Sequence, residues 1–331
     1  MRAIVAETLG SPEGLLITEI PAPVPEPGEI AVDLKAAGVN FADLLVVEGK
    51  YQVRPPLPFI PGKEAAGVVT ALGDGVREIS VGDRVMVQVE YGAFAERLVA
   101  PVNHCFPIPD KMGFEEAAAI GIAYQTAYLA LVVRAAVKAG ETVLVTAASG
   151  SVGIAAVQLA KAMGCTVIAG LATMSKAEFV RENGADHVID LSGGDLRDSI
   201  RAQVEKCTGG GLDVVIEMIG GEAFEGAVRT LKWRGRLVIV GFAGGVIPII
   251  KTNYAMIKNI TVSGVDRFSY LAHDPHALRR AQSEIFRLFG AGLVHITVQA
   301  AYPLEKVVEA FDVIRDRQIR GKVILLTNSG E

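Results

Sequence analysis

Two patterns of hydrophobic and polar positions divide the chain. In the N-terminal third the apolar residues come in short β-branched runs, "LLITEI", "EIAVDLKAAG", "EAAGVVTALG" and "DRVMVQV", broken by clusters such as "PAPVPEPGE" and "GDGVREISVGD". Runs like these predict strands, and the spacers are too short for the helix of a parallel crossover. At Phe114 the pattern changes to the long Ala-rich stretch "FEEAAAIGIAYQTAYLALVV", which predicts a helix. From Glu141 onward apolar runs and helical stretches alternate. The predicted strands are "TVLVTA", "TVIAGL", "HVID", "LDVVIEMI", "RLVIVGF" and "ITVSGV"; helices are predicted over Ser151 to Met163, Ser175 to Asn183, Asp195 to Cys207 and Glu222 to Lys232. Such alternation makes a parallel sheet covered on both faces. After Asp274 the pattern gives a helix, the strand "TVQAAYP", a helix near Leu304 to Arg315 and a last strand "KVILLT". Both chain ends are strands that need partners, so the tail is expected to return to the first domain.

The turn between "TVLVTA" and the next predicted helix carries the first chemistry. Ala148-Ser149-Gly150-Ser151-Val152-Gly153 is a G-x-G-x-x-G turn with Ala in the first position, set directly between strand and helix. In this context Gly150 lets backbone approach a pyrophosphate and Gly153 lets the helix pack on the strand. The helix N-terminus offers N–H groups and a positive dipole end. The competing reading is a tight structural turn; the strand–helix series that follows favours a dinucleotide. An NAD site usually places Asp or Glu at the end of the second strand. Here "IAGLATMSK" has no acid before Glu178, while Ser175 and Lys176 offer a hydroxyl and a cation for a 2′-phosphate. NADP is therefore the expected cofactor, in its reduced form NADPH.

Composition narrows the rest. The 331 residues suffice for two domains, and 50% hydrophobic content supplies a core. A net charge of −5 without a long basic run argues against nucleic acid as a partner. Three separated cysteines, Cys105, Cys165 and Cys207, suit a reducing cytoplasm, and the first ten residues lack the pattern of a signal peptide. The uncharged stretch Ala117 to Val133 is shorter than a membrane span and contains Gln125, Thr126 and two tyrosines, so a buried helix and no membrane are expected.

The motifs "GVNFADLLVVEGKY", "PGKEAAGVV", "VGDRV", "YGAFAE", "AASGSVGIAAVQLAK", "GADHVID" and "GRLVIVGFAGG" follow one another in an order that resembles the medium-chain dehydrogenase/reductase superfamily, in particular its zinc-free, zeta-crystallin-like quinone oxidoreductases. The resemblance covers nearly the whole chain. It implies a fold of class α/β, with a GroES-like β-rich catalytic domain (1–121 and 264–331) and a Rossmann NADP-binding domain with a doubly wound parallel sheet (122–263). Zinc members carry ligands at positions matching Asn40, Lys63 and Ile122; these residues are poor zinc ligands, so no metal is expected. Without a Lewis acid, reduction of quinones or activated alkenes is favoured over alcohol oxidation.

The resemblance places Asn40 and Tyr51 as catalytic candidates able to donate to a developing oxyanion. The alternatives are a turn residue and a loop anchor. Leu45 and Leu191 stand where some relatives have tyrosines. Phe41, Thr126, Ile219, Gly241, Phe242, Ala243, Val265 and Lys322 join Ala148 to Gly153, Ser175 and Lys176 as implied cofactor contacts. A homodimer through "GGVIPIIKTNYA" is expected by analogy. Two rival functions remain: an enoyl-thioester or haloacrylate-type alkene reductase, and a crystallin-like protein that binds the cofactor without turnover.

Overall fold

The computed structural model describes residues 1–327. The β-branched runs of the first third form β1 (Arg2–Val5), β2 (Leu16–Glu19), β3 (Glu29–Val39), β4 (Glu64–Leu72), β5 (Arg84–Gln88), β6 (Arg97–Pro101) and β7 (Cys105–Pro107), with one short helix, α1 (Phe41–Val47). Helix α2 (Phe114–Tyr128) continues as a π-helical segment to Arg134. The first unit, Met1–Ile122 plus the stretch from Ile296, ends inside this helix. The helix with its π-helical extension, Phe114–Arg134, is long and apolar enough to cross a membrane, but 72% of its apolar window is buried inside the protein.

The alternating region folds as β8 (Thr142–Val145), α3 (Ser151–Ala162), β9 (Thr166–Leu171), α4 (Ala177–Glu182), β10 (His187–Asp190), α5 (Leu196–Thr208), β11 (Leu212–Glu217), α6 (Gly221–Thr230), β12 (Leu231–Ile239), α7 (Thr252–Lys258) and β13 (Thr261–Gly264), followed by α8 (Arg267–His273) and α9 (Pro275–Gly290). Six parallel strands lie in the order β10-β9-β8-β11-β12-β13. This is the doubly wound arrangement, and its order reverses between β8 and β11, where such sheets take ligands at the carboxyl ends of the strands. Leu144, Ile168, Val215, Leu237 and Phe224 lie in its core. Asp195 caps α5 by accepting from the N–H of Arg197 and Asp198.

The tail forms β14 (Val298–Pro303), α10 (Val307–Arg315) and β15 (Lys322–Leu326). β15 pairs antiparallel with β3, Val323 opposite Val39, so the tail does return to the main sheet of the first third, of order β14-β15-β3-β4-β5-β7, while β1 and β2 pair in a sheet of their own. The second unit runs from Ala123 to His295, so the return comes at Ile296 rather than at 264. The reason is packing. Leu278, Ala281, Ile285 and Leu288 of α9 are buried, and a buried hydrogen-bonded chain runs from Arg267 Nε to Gln125 Oε1 (2.8 Å) and from Gln125 Nε2 to Gln282 Oε1 (2.9 Å). These bonds tie α8 and α9 to the second unit.

Candidate functional site

In the second unit the implied cofactor residues gather at the carboxyl ends of the parallel strands. The turn after β8 takes its left-handed residue at Ala147 (φ 48°). Gly150 caps α3 with φ −77° and ψ 173°, a backbone any residue adopts. A Cβ there would meet nothing nearer than the Ala147 carbonyl oxygen at 3.5 Å. The fold does not require glycine at this position; its bareness leaves space at the N-terminus of a three-turn helix, where N–H groups lack helical acceptors. Gly153 is the opposite case. A Cβ would come within 2.3 Å of the Ala147 oxygen and 2.7 Å of Ala148 Cα, so this glycine is demanded by packing. The turn therefore has one glycine that packing demands and one whose bareness leaves room that would fit a pyrophosphate.

Ser175 is exposed just beyond β9, on a 3-10 turn that ends at Lys176. Lys176 is only 7% exposed, unlike an ordinary solvated lysine. After β12 the chain folds over the end of β11: Ala243 N–H donates to Met218 O and Gly244 N–H to Ile219 O, both at 2.8 Å. This sets Ile219 beside Gly241-Phe242-Ala243. Val265 follows β13 and donates to Ile239 O at 3.0 Å. Thr126 lies in α2 and is largely buried.

Glu217, which the pattern hid inside an apolar run, closes this edge. It is fully buried at the end of β11 and accepts from Ile219 N–H (2.9 Å), from Gly220 N–H (3.0 and 3.1 Å) and from Thr146 Oγ1 (3.3 Å). Burial raises its carboxyl above the usual range, against the pull of these hydrogen bonds. One carboxylate thus joins the ends of β8 and β11 at the point where the sheet order reverses.

In the first unit a second cluster is built from buried charge. Pairing of β15 with β3 sets Lys322 beside Asn40. Lys322 Nζ donates to Asn40 Oδ1 (2.6 Å) and Glu64 Oε1 (2.5 Å), and Glu64 Oε2 accepts from Ile122 N–H (2.7 Å). Asn40 Nδ2 lies 3.1 Å from both Asp43 Oδ2 and Glu64 Oε1, and Asn40 N–H donates to Asp43 Oδ2 (2.8 Å), a capping box at the start of α1. Asp43 is 1% exposed and its Oδ1 has no hydrogen-bond partner. Burial raises its carboxyl to about 6, opposed by Lys63, Asn40 and Lys322. Lys63 is also 1% exposed. Its ammonium donates to Glu90 O (2.8 Å) and Oε2 (3.0 Å) and lies 4.8 Å from the Tyr51 ring centroid.

Residues 26–110 match the alcohol dehydrogenase GroES-like domain family, and residues 151–285 match the zinc-binding dehydrogenase family. The chain is 37% identical to quinone oxidoreductase-like protein 2 of Rattus norvegicus over 326 residues, covering 98% of this chain and 91% of that protein. It is 36% identical to the quinone oxidoreductase of Sus scrofa over 331 residues, covering 98% of each. The fold matches the crystal structure of Escherichia coli quinone oxidoreductase complexed with NADPH at a TM-score of 0.90 and 31% identity, over 98% of this chain and 100% of that one. The chain belongs to the medium-chain dehydrogenase/reductase superfamily, in its zeta-crystallin-like branch of oxidoreductases.

The zinc implied by the second family's description does not fit this medium-chain dehydrogenase/reductase. At the ligand positions Lys63 presents a buried ammonium already bonded to Glu90, Asn40 is bonded to Lys322, and Ile122 has no side-chain donor. Among the described residues no group of three His, Cys, Asp or Glu could hold a metal.

In the first unit the N–H groups of Asn40 face the Asp43 and Glu64 carboxylates, and Lys322 is 2% exposed with its ammonium bonded to Glu64 and Asn40. Tyr51 is half-buried, stacked against Lys63 and packed on Ala6, Val46 and Phe59, and Phe41 is exposed at the first turn of α1.

Proposed function

We propose that the protein is an NADPH-dependent, zinc-independent reductase of quinones or activated alkenes. The observation that carries this reading is the pair of features on the second unit's strand ends: a glycine at the N-terminus of α3 that the fold itself does not need, and a second strand that ends without an acid and leads into Ser175 and Lys176. The complex of the Escherichia coli relative with NADPH supports it. In this reading Ala148 to Gly153 hold the pyrophosphate, and Ser175 and Lys176 the 2′-phosphate. Thr126, Ile219, Gly241 to Ala243 and Val265 line the nicotinamide half. Bound NADPH supplies hydride from its nicotinamide ring. No zinc polarises the acceptor, and in this reading the phenol of Tyr51 donates to the oxygen that gains charge.

The acceptor class is tested by a panel of quinones, enones and enoyl thioesters with saturating NADPH, on wild type and Tyr51→Phe. The variant is expected to lose about a hundred- to a thousandfold in rate on enones. The loss on quinones is expected to be smaller, since two oxygens share the charge. Wild-type rates on both substrates would remove Tyr51 from the mechanism. Turnover confined to enoyl thioesters would replace the substrate class, and cofactor binding without any turnover would replace the activity.

The reading includes a cytoplasmic homodimer. β13 ends the parallel sheet, and Val246, Ile247, Ile249, Met256 and Ile257 in the segment leading to it are exposed. An apolar surface of this kind beside a sheet edge suits a second copy of the chain. Sedimentation of a monomer at micromolar concentration would overturn the dimer.

A further inference from the structure

The parallel ladder between β8 and β11 ends with Val145 opposite Ile216, and one backbone bond continues it, from Thr146 N–H to Ile216 O at 3.0 Å. Past this ladder lie the successive amides of Met218, Ile219 and Gly220, and two side chains receive them. Thr146 Oγ1 accepts from Met218 N–H at 2.8 Å. The Glu217 carboxylate accepts from Ile219 N–H at 2.9 Å and from Gly220 N–H at 3.0 and 3.1 Å. The Thr146 hydroxyl shares its own proton between Glu217 Oε1 (3.3 Å) and Ile216 O (3.4 Å), and both side chains are fully buried. We propose that Thr146 and Glu217 are positioning residues for the cofactor: as a pair they hold the backbone of 218–220 in one conformation, a preorganised wall for the nicotinamide half of NADPH. This rests on the reading of the second unit's strand ends as the NADPH site.

The segment 218–220 carries its neighbour with it. Met218 O and Ile219 O accept from Ala243 N–H and Gly244 N–H, both at 2.8 Å, and Gly220, in the left-handed region at φ 81°, bridges to Val246. Whatever fixes 218–220 therefore fixes 243–246 as well. The pyrophosphate turn has a different anchor: Ala148 N–H donates to Gly170 O on β9 at 3.2 Å. The two halves of the proposed site thus have separate supports, and all of these residues belong to the second unit. A buried N–H left without an acceptor is costly, so a 218–220 backbone deprived of its side-chain acceptors turns toward other partners. A cofactor then binds only those molecules in which the wall is formed, and its apparent affinity falls by that fraction. Loss of one bond of the set is expected to lower the fraction about three- to tenfold. A ligand that touches only the pyrophosphate turn and the 2′-phosphate end is not subject to that loss.

The test compares the whole cofactor with its adenylate half. The full chain is titrated calorimetrically with NADPH and with adenosine 2′,5′-bisphosphate, which carries the 2′-phosphate and one 5′-phosphate but no nicotinamide. Thr146→Val keeps the shape of the side chain and removes the hydroxyl without touching a charge. Glu217→Gln keeps one acceptor oxygen and replaces the other by a donor. Each variant is expected to weaken NADPH about three- to tenfold and to leave the bisphosphate within about twofold of wild type. Thr146→Ser restores the hydroxyl and is expected to bind both ligands as wild type does. A merely structural role for the pair predicts one common factor for the two ligands. Equal losses for both, or an undiminished affinity for NADPH, overturn the proposal. Should either variant not fold, the other decides by the same ratio. Wild type that binds neither ligand sinks the cofactor reading and this proposal with it; wild type that binds NADPH, with the ratio unchanged in the variants, sinks this proposal alone.

Discussion

Asp43 sets a measurable dependence of stability on pH. Its carboxyl is 1% exposed, one of its oxygens has no hydrogen-bond partner, and burial raises it from an ordinary 3.8 to about 6. The folded state therefore holds the proton more tightly than the unfolded chain. Stability from this group is fully present below about pH 4 and is lost as pH rises through about 6. A difference of about two pH units at 1.36 kcal/mol each makes the loss about 3 kcal/mol. Asp43→Asn keeps an acceptor oxygen for Asn40 but cannot ionise. Chemical denaturation at closely spaced pH values, on wild type and variant, reads the effect as a difference in which all other titrations cancel. The two proteins should be nearly equal at pH 4, and the variant should gain up to about 3 kcal/mol by pH 7. Parallel stability curves over that range would refute the argument. A variant that weakens with rising pH would show instead that Lys63 and Lys322 outweigh the cost of burial.

Two further predictions concern the second unit. Gly150→Val should abolish NADPH binding, read by fluorescence titration, while leaving thermal unfolding near wild type, because a Cβ at that position meets nothing closer than 3.5 Å; Gly153→Ala should do the reverse and destabilise the fold, since its Cβ would meet backbone at 2.3 Å. Lys176→Ala should weaken NADPH about ten- to a hundredfold while leaving NADH nearly unchanged, the worth of one charge-assisted hydrogen bond; equal losses for both cofactors would show that Lys176 does not read the phosphate.

What could be read from the sequence was whatever repeats over a few residues. The alternation of β8 to β13 with helices follows from local hydrophobic period, and so does the turn at Ala148 to Gly153. What could not be read depends on partners far along the chain. Glu217 reads as one charge in a strand, because the Thr146 hydroxyl that donates to it is 71 residues away. Lys322 and Asn40 are 282 residues apart, and only the antiparallel register of β15 on β3 brings them to 2.6 Å. The second unit ends at His295, well past the last strand of the parallel sheet. The glutamine bond that holds α9 spans 157 residues and leaves no local mark. Lys63 illustrates the limit from the other side: it was recognised as a poor zinc ligand, but nothing in "PGKEAAGVV" says that its ammonium meets Tyr51.

The same cluster joins separate segments of the first unit. A structural metal joins separate segments by gathering their donors at one point. Here Glu64 on β4 performs that joining: it accepts from Lys322 on β15, from Asn40 before α1 and from the Ile122 N–H on α2. A buried carboxylate with this many donors is well compensated, and removing one member would leave uncompensated charge in the interior. What the network cannot replace is Lewis acidity, and for that reason the proposed reaction assigns stabilisation of the developing oxyanion to the Tyr51 phenol.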